Sequence, residues 1–131
     1  MDISINIAAP EPVYEQIVRQ IHDGVRSGAL LPGAALPTVR QLAIDLVLNR
    51  NTVARAYKIL EDQGVIQTAG RKGTFVRRHA ADEVARMKSG HADRTMRHAI
   101  EVLLSNGLSR DEIAGVFKRA LALQSEKGRT S

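Results

Sequence analysis

The chain has 131 residues, 44% hydrophobic but only 3% aromatic, so it can fill one compact domain, or a small domain with an accessory segment, packed by Leu, Ile, Val and Ala. It has no cysteine, which excludes disulfides, thiolate metal sites and cysteine nucleophiles. Its formal charge is +5, and that charge is unevenly placed: residues 1–39 carry −2, residues 40–78 carry +5 and residues 79–131 carry +2.

Ile3, Ile5 and Ile7 alternate with polar residues and predict a short strand. Pro10 and Pro12 follow. From Val13 to about Ser27, Tyr14, Ile17, Val18, Ile21 and Val25 recur at helical spacing, with Gly28 just past the end and Pro32-Gly33 making a turn. Thr38 to Leu46 reads as a shorter helix opened by a Thr38–Gln41 capping box, with Val39, Leu42, Ala43 and Leu46 inward. Asn49 is suited to cap a third helix running to about Gln63, with Val53, Ala56, Tyr57 and Leu60 inward and Gly64 ending it. Two β-prone stretches, Val65 to Thr68 and Thr74 to Val76, flank a basic tip, Ala69-Gly70-Arg71-Lys72-Gly73, and predict a hairpin.

Beyond residue 78 a long helix is expected from Ala80 to about Ser105, with a kink or break at Gly90. Asn106-Gly107 ends it. A Ser109–Glu112 capping box then opens a last helix with Ile113, Val116, Phe117, Ala120 and Leu121 on one side, and the tail from Gln124 is expected to fray. The fold class is therefore mainly α: residues 1–78 form a winged helix-turn-helix, and residues 79–131 form a short two-helix segment.

The third helix carries the chemistry. With its apolar stripe inward, Asn51, Arg55 and Lys58 fall on the opposite face, and Arg50 and Thr52 join them at the N-terminal end. Side chains at the start of such a helix reach base edges in the major groove. There arginine can bond guanine bidentately, asparagine can pair with adenine, and threonine can reach a base or a phosphate. Arg40 on the second helix is placed for a phosphate or flanking base, and Arg71 and Lys72 for the adjacent minor groove or its phosphates. An isolated polar helix face is usually a solvated surface. Capped helix, short turn, capped helix and basic hairpin together favour double-stranded DNA as partner.

The run from Pro12 to Val76, above all LPTVRQLA, NRNTVARAYKILEDQG and GTFV, resembles the DNA-binding domain of the GntR family of bacterial regulators. The resemblance implies DNA contact by Arg40, Arg50, Asn51 and Thr52 and by the wing around Gly73. It has two departures. Many members carry arginine where this chain has Ala54, and Arg55 is expected to compensate. The usual wing glycine is replaced by Arg71. The short helical C-terminal part resembles the YtrA subgroup, in which it mainly dimerises.

A two-helix segment with broad apolar stripes cannot bury them alone, so a homodimer is expected, joined through Met96, Ile100, Leu103, Leu104, Phe117 and Leu121. The alternative is that these helices fold back on their own winged domain. A two-fold protein suits a palindromic operator, and the reading is a sequence-specific regulator, a repressor by preference. A purely architectural DNA binder would need only Lys and Arg, whereas this helix mixes Arg, Asn and Thr. An enzyme is disfavoured, since no nucleophile with a partner base and no phosphate-cradling loop is present. His22, His79, His91 and His98 lack metal-ligand spacing and read as surface residues, so neither metal nor cofactor is expected, and any small-molecule effector stays unassigned. The N-terminus lacks a basic segment before an apolar one, and no apolar run nears the roughly 18 residues of a membrane span, so a cytoplasmic, membrane-free protein is expected.

Overall fold

The computed structural model describes the backbone of residues 1–130 and the side chains of residues 1–124. Its contacts divide the chain into two compact units, Met1–Lys88 and Ser89–Ser131. The first unit reaches ten residues beyond the boundary expected after residue 78, because Ala80, Val84 and Met87 pack into its core.

In the first unit, α1 spans Val13–Ser27 and stops where Gly28 takes φ +86°, a left-handed position that favours glycine. A two-residue strand, β1 (Ala35–Leu36), precedes α2 (Val39–Leu46) and α3 (Arg50–Asp62). The hairpin of β2 (Ile66–Thr68) and β3 (Thr74–Val76) follows, and the antiparallel sheet has the order β1-β3-β2. Leu36 lies opposite Thr74, and Ile66 opposite Val76. The two residues of β1 are too few to show a period, and the sequence reading missed them.

The core is built from the stripes that helical spacing selects. Ile17 and Ile21 from α1, Val53 and Leu60 from α3, and Val65 and Ile66 at the hairpin are wholly buried. Burying side chains of this size stabilises by roughly 1.5–3 kcal/mol each, which makes this cluster the main support of the three-helix arrangement. Tyr57 is also buried, and its hydroxyl donates to the carbonyl oxygen of Pro37 at 2.7 Å. That bond ties α3 to the chain entering α2.

The N-terminal segment is not a strand. Ile3 and Ile5 pack on the core, whereas Ile7 is 82% exposed. The backbone between them is held by two glutamine side chains of α1: Gln16 bonds both N–H and C=O of Asn6, and Gln20 does the same for Ser4. Glutamines one turn apart thus satisfy the backbone of alternate residues, as a neighbouring strand would. The alternation of Ile3, Ile5 and Ile7 predicted a strand, and none forms there.

At the helix-turn-helix, Thr38 accepts from the Gln41 N–H at 3.0 Å, but the Gln41 side chain turns to Asp45, so only half of that capping box forms. Val47 ends α2 at φ +55°, a left-handed position that a β-branched residue occupies with strain, and its side chain is 88% exposed. Asn49 caps α3, accepting from the Asn51 N–H at 2.8 Å.

Helix α4 (Ala80–Ser105) is assigned without interruption through Gly90, against the expected break. Glycine costs a helix about 1 kcal/mol relative to alanine, which a 26-residue element tolerates. In the second unit the Ser109–Glu112 box forms in full: each backbone N–H donates to the other residue's side-chain oxygen, at 3.0 and 3.1 Å. Helix α5 (Arg110–Thr130) runs past Gln124, where fraying was expected; the side chains beyond Gln124 and all of Ser131 lie outside the described residues.

Candidate nucleic-acid interface

The α3 N-terminus presents Arg50 and Asn51 exposed and Thr52 half-buried. Arg55 and Lys58 follow, both exposed, and Arg40 is exposed on α2. The wing tip is a short 3-10 turn, Gly70–Lys72, closed by a bond from the Ala69 N–H to the Gly73 carbonyl at 2.8 Å. Gly73 takes φ +101°, which only glycine adopts readily, so the wing keeps this glycine and carries Arg71 within the turn. Arg71 and Lys72 are exposed there.

The charges are mostly uncompensated. Among the described residues, Arg40, Arg50, Arg55, Arg71 and Lys72 have no carboxylate within 4.0 Å. Lys58 alone of the expected contacts is paired, with Asp62 at 3.6 Å, and both side chains are so exposed that the pair is weak. Cations held in the open without partners create the positive field that attracts a polyanion.

A groove of about 370 Å³ separates α3 from the wing. Ala54, Tyr57, Lys58 and Glu61 line one side, and Thr68, Gly70, Gly73 and Thr74 line the other. Arg55 is not in this groove. Neighbouring helix residues point about 100° apart, and Arg55 leaves on the opposite flank, where its guanidinium lies 3.8 Å from the centre of the Tyr14 ring of α1. The expectation that Arg55 makes good the arginine missing at position 54 therefore has no geometric support. The two positions address different sides of the helix.

Sequence reading assigned no contact to Arg77 and Arg78, although both counted toward the basic block. They are exposed at the foot of the hairpin, bordering a cleft with Gln67 and Phe75. Nor is His22 a free surface residue. It is half-buried, and its Nε2 lies 2.7 Å from Gln63 Oε1, which joins α1 to the end of α3. Among the described residues no group of His, Cys, Asp or Glu is arranged to hold a metal ion, and no helix is long and apolar enough to cross a membrane.

The profile described as "Bacterial regulatory proteins, gntR family" matches residues 13–76, the span of α1 through β3. The HTH-type transcriptional regulator Rv1152 of Mycobacterium tuberculosis is 46% identical over 83 residues, covering 63% of this chain and 69% of that protein. The chain belongs to the GntR family. It is a transcription regulator with a DNA-binding domain, not an enzyme. The HTH-type transcriptional repressor YtrA of Bacillus subtilis is 41% identical over 78 residues, 60% of each chain. Among solved structures, a transcriptional regulator from Oenococcus oeni matches with a TM-score of 0.70 and 33% identity, covering 90% of this chain and 98% of its own. AraR(DBD) in complex with operator ORX1 matches with a TM-score of 0.52 and 26% identity, covering 58% of this chain and 98% of its own. The GntR fold here is thus a winged helix-turn-helix followed by a helical segment.

Proposed function

We propose that this GntR-family protein is a sequence-specific repressor that binds a palindromic operator as a homodimer in the cytoplasm. One observation carries the reading: the exposed N-terminal turn of α3, where Arg50 and Asn51 stand beside Thr52 with no carboxylate near the arginine. A helix that only neutralised phosphate would need cations alone; this one carries donors and acceptors matched to base edges. Arg50, Asn51 and Thr52 read bases in the major groove. Arg40 and Lys58 approach the backbone, Arg55 works on the α1 flank, and Arg71, Lys72 and Gly73 bring the wing to the neighbouring groove. The similarity to AraR(DBD), bound to operator ORX1, supports a DNA-facing α3, and the similarity to the repressor YtrA supports the sign of regulation.

The second unit supplies the pairing. Met96, Leu104, Phe117 and Leu121 are 43–58% exposed in the single chain. Ile100 and Leu103, half-buried, border the same faces. A second copy covers this apolar surface and sets two α3 helices about one DNA turn apart.

Selection of bound DNA from random oligonucleotides should return an inverted repeat. Arg50→Ala should then cost about 1–3 kcal/mol of operator binding and relax the preference at one base pair. Equal weakening on operator and random DNA would reduce Arg50 to a phosphate contact, and recovery of no preferred sequence would overturn the reading.

A further inference from the structure

We propose that Tyr14 is a positioning residue for DNA recognition, holding the Arg55 guanidinium in place for a planar pair of acceptor atoms on the DNA. The inference rests on α3 being the helix that enters the groove, and deepens that reading.

Arg55 is exposed and has no carboxylate partner among the described residues, yet its guanidinium lies 3.8 Å from the Tyr14 ring centre. At that distance a cation is drawn to the face of an aromatic ring, and a guanidinium resting on a ring keeps its in-plane N–H donors directed outward. Tyr14 itself is fixed: its body packs on the core, and its hydroxyl donates to Glu15 Oε1 at 3.2 Å. A long side chain that would otherwise sample many rotamers is thereby held before DNA arrives. The donors it presents suit two phosphate oxygens or the O6 and N7 atoms of guanine.

The position gives this pair its own part of the operator. Ala54, Lys58 and Glu61 face the wing, whereas Arg55 leaves α3 on the α1 side. A wing-side arginine is absent, and the ordered cation stands on the other flank. The DNA contact of this chain is correspondingly shifted toward α1.

The test uses the full chain and the operator recovered by selection, with binding measured for Tyr14→Phe, Tyr14→Leu, Arg55→Ala and the Tyr14→Leu/Arg55→Ala double variant, all confirmed folded by thermal melting. Tyr14→Phe keeps the ring and should bind within about two-fold of wild type, while Tyr14→Leu should weaken binding about two- to five-fold. In the Arg55→Ala background Tyr14→Leu should have no further effect. Wild-type binding by Tyr14→Leu, or an undiminished loss in the double variant, would overturn the proposal. Arg50→Ala, measured alongside, separates this failure from failure of the DNA-binding reading, because it should weaken binding whether or not Tyr14 matters. Single base-pair changes and a salt titration identify the acceptor. Loss of discrimination at one G·C pair in Arg55→Ala marks guanine, and a salt slope lower by about one with discrimination unchanged marks phosphate.

Discussion

A single hydroxyl shows how the recognition helix is held. Tyr57 lies in the buried stripe of α3, yet its oxygen reaches the Pro37 carbonyl just before the α2 cap. Tyr57→Phe keeps the ring and removes the bond. It should lower stability by about 1 kcal/mol, read from the denaturant midpoint. Burial pushes the Tyr57 pKa up to about 12 from the ordinary 10.0, so the folded protein holds the phenolic proton more tightly than the unfolded chain. That contribution is whole below pH 10 and is lost as the pH rises toward 12. Wild type should therefore lose its advantage over Tyr57→Phe across that window; a constant difference between the two would remove the phenol from the alkaline transition. The inward placement of Tyr57 was legible, because Val53, Ala56, Tyr57 and Leu60 repeat at helical spacing. Its partner was not, because Pro37 is twenty residues away and no local pattern points to it. Arg55 teaches the same lesson: spacing put it on the outer face, but only the fold shows that Tyr14 lies under it.

Elements whose signals are local were read well. The ends of α1, α2 and α3 follow from Gly28, Thr38, Asn49 and Gly64, each of which acts on backbone groups within a few residues. The Ser109–Glu112 box is equally local, and hydrogen bonding from Ser109, its backbone N–H first, holds the Glu112 carboxyl below the ordinary carboxylate range. Elements that depend on distant partners were misread. β1 exists because β3 lies beside it, and the backbone of Ser4 and Asn6 bonds the Gln20 and Gln16 side chains in place of a strand. Gln16 is 2% exposed and bonds Asn6 through both ends of its amide, as well as the Glu11 carbonyl. Gln16→Ala leaves these backbone groups without partners and should cost about 1–3 kcal/mol. Amide exchange at Asn6 should accelerate in the variant; unchanged protection there would mean the segment is held by Ile3 and Ile5 alone.

At the scale of the molecule, the candidate DNA contacts and the candidate dimer contacts fall in different units, although the first unit also exposes Ile7, Leu31, Ile44 and Val47. The first unit exposes unpaired cations, and the second exposes apolar side chains, with Phe117 at 48% and Leu121 at 58%. Sequence spacing identified the stripe of α5, but the degree of exposure is set by tertiary packing, which periodicity does not report. Because Phe117 is already half exposed in the single chain, Phe117→Asp should leave the fold and melting of the first unit unchanged while halving the mass measured by light scattering. An undiminished mass would show that the copies pair through another surface. Operator affinity should fall with the mass, since a lone reading head forfeits the second half-site.

The wing tip offers a readout that needs neither label nor operator sequence. Arg71 and Lys72 sit side by side in an exposed 3-10 turn between strands of three residues each, the kind of tip a protease can reach. Limited trypsin digestion of the free protein should nick the chain there early, leaving two fragments that meet at residues 71 to 73. Bound DNA should shield the tip and delay that nick, so fragment timing becomes a footprint taken from the protein side. Unchanged cleavage in the presence of saturating DNA would place the wing outside the contact.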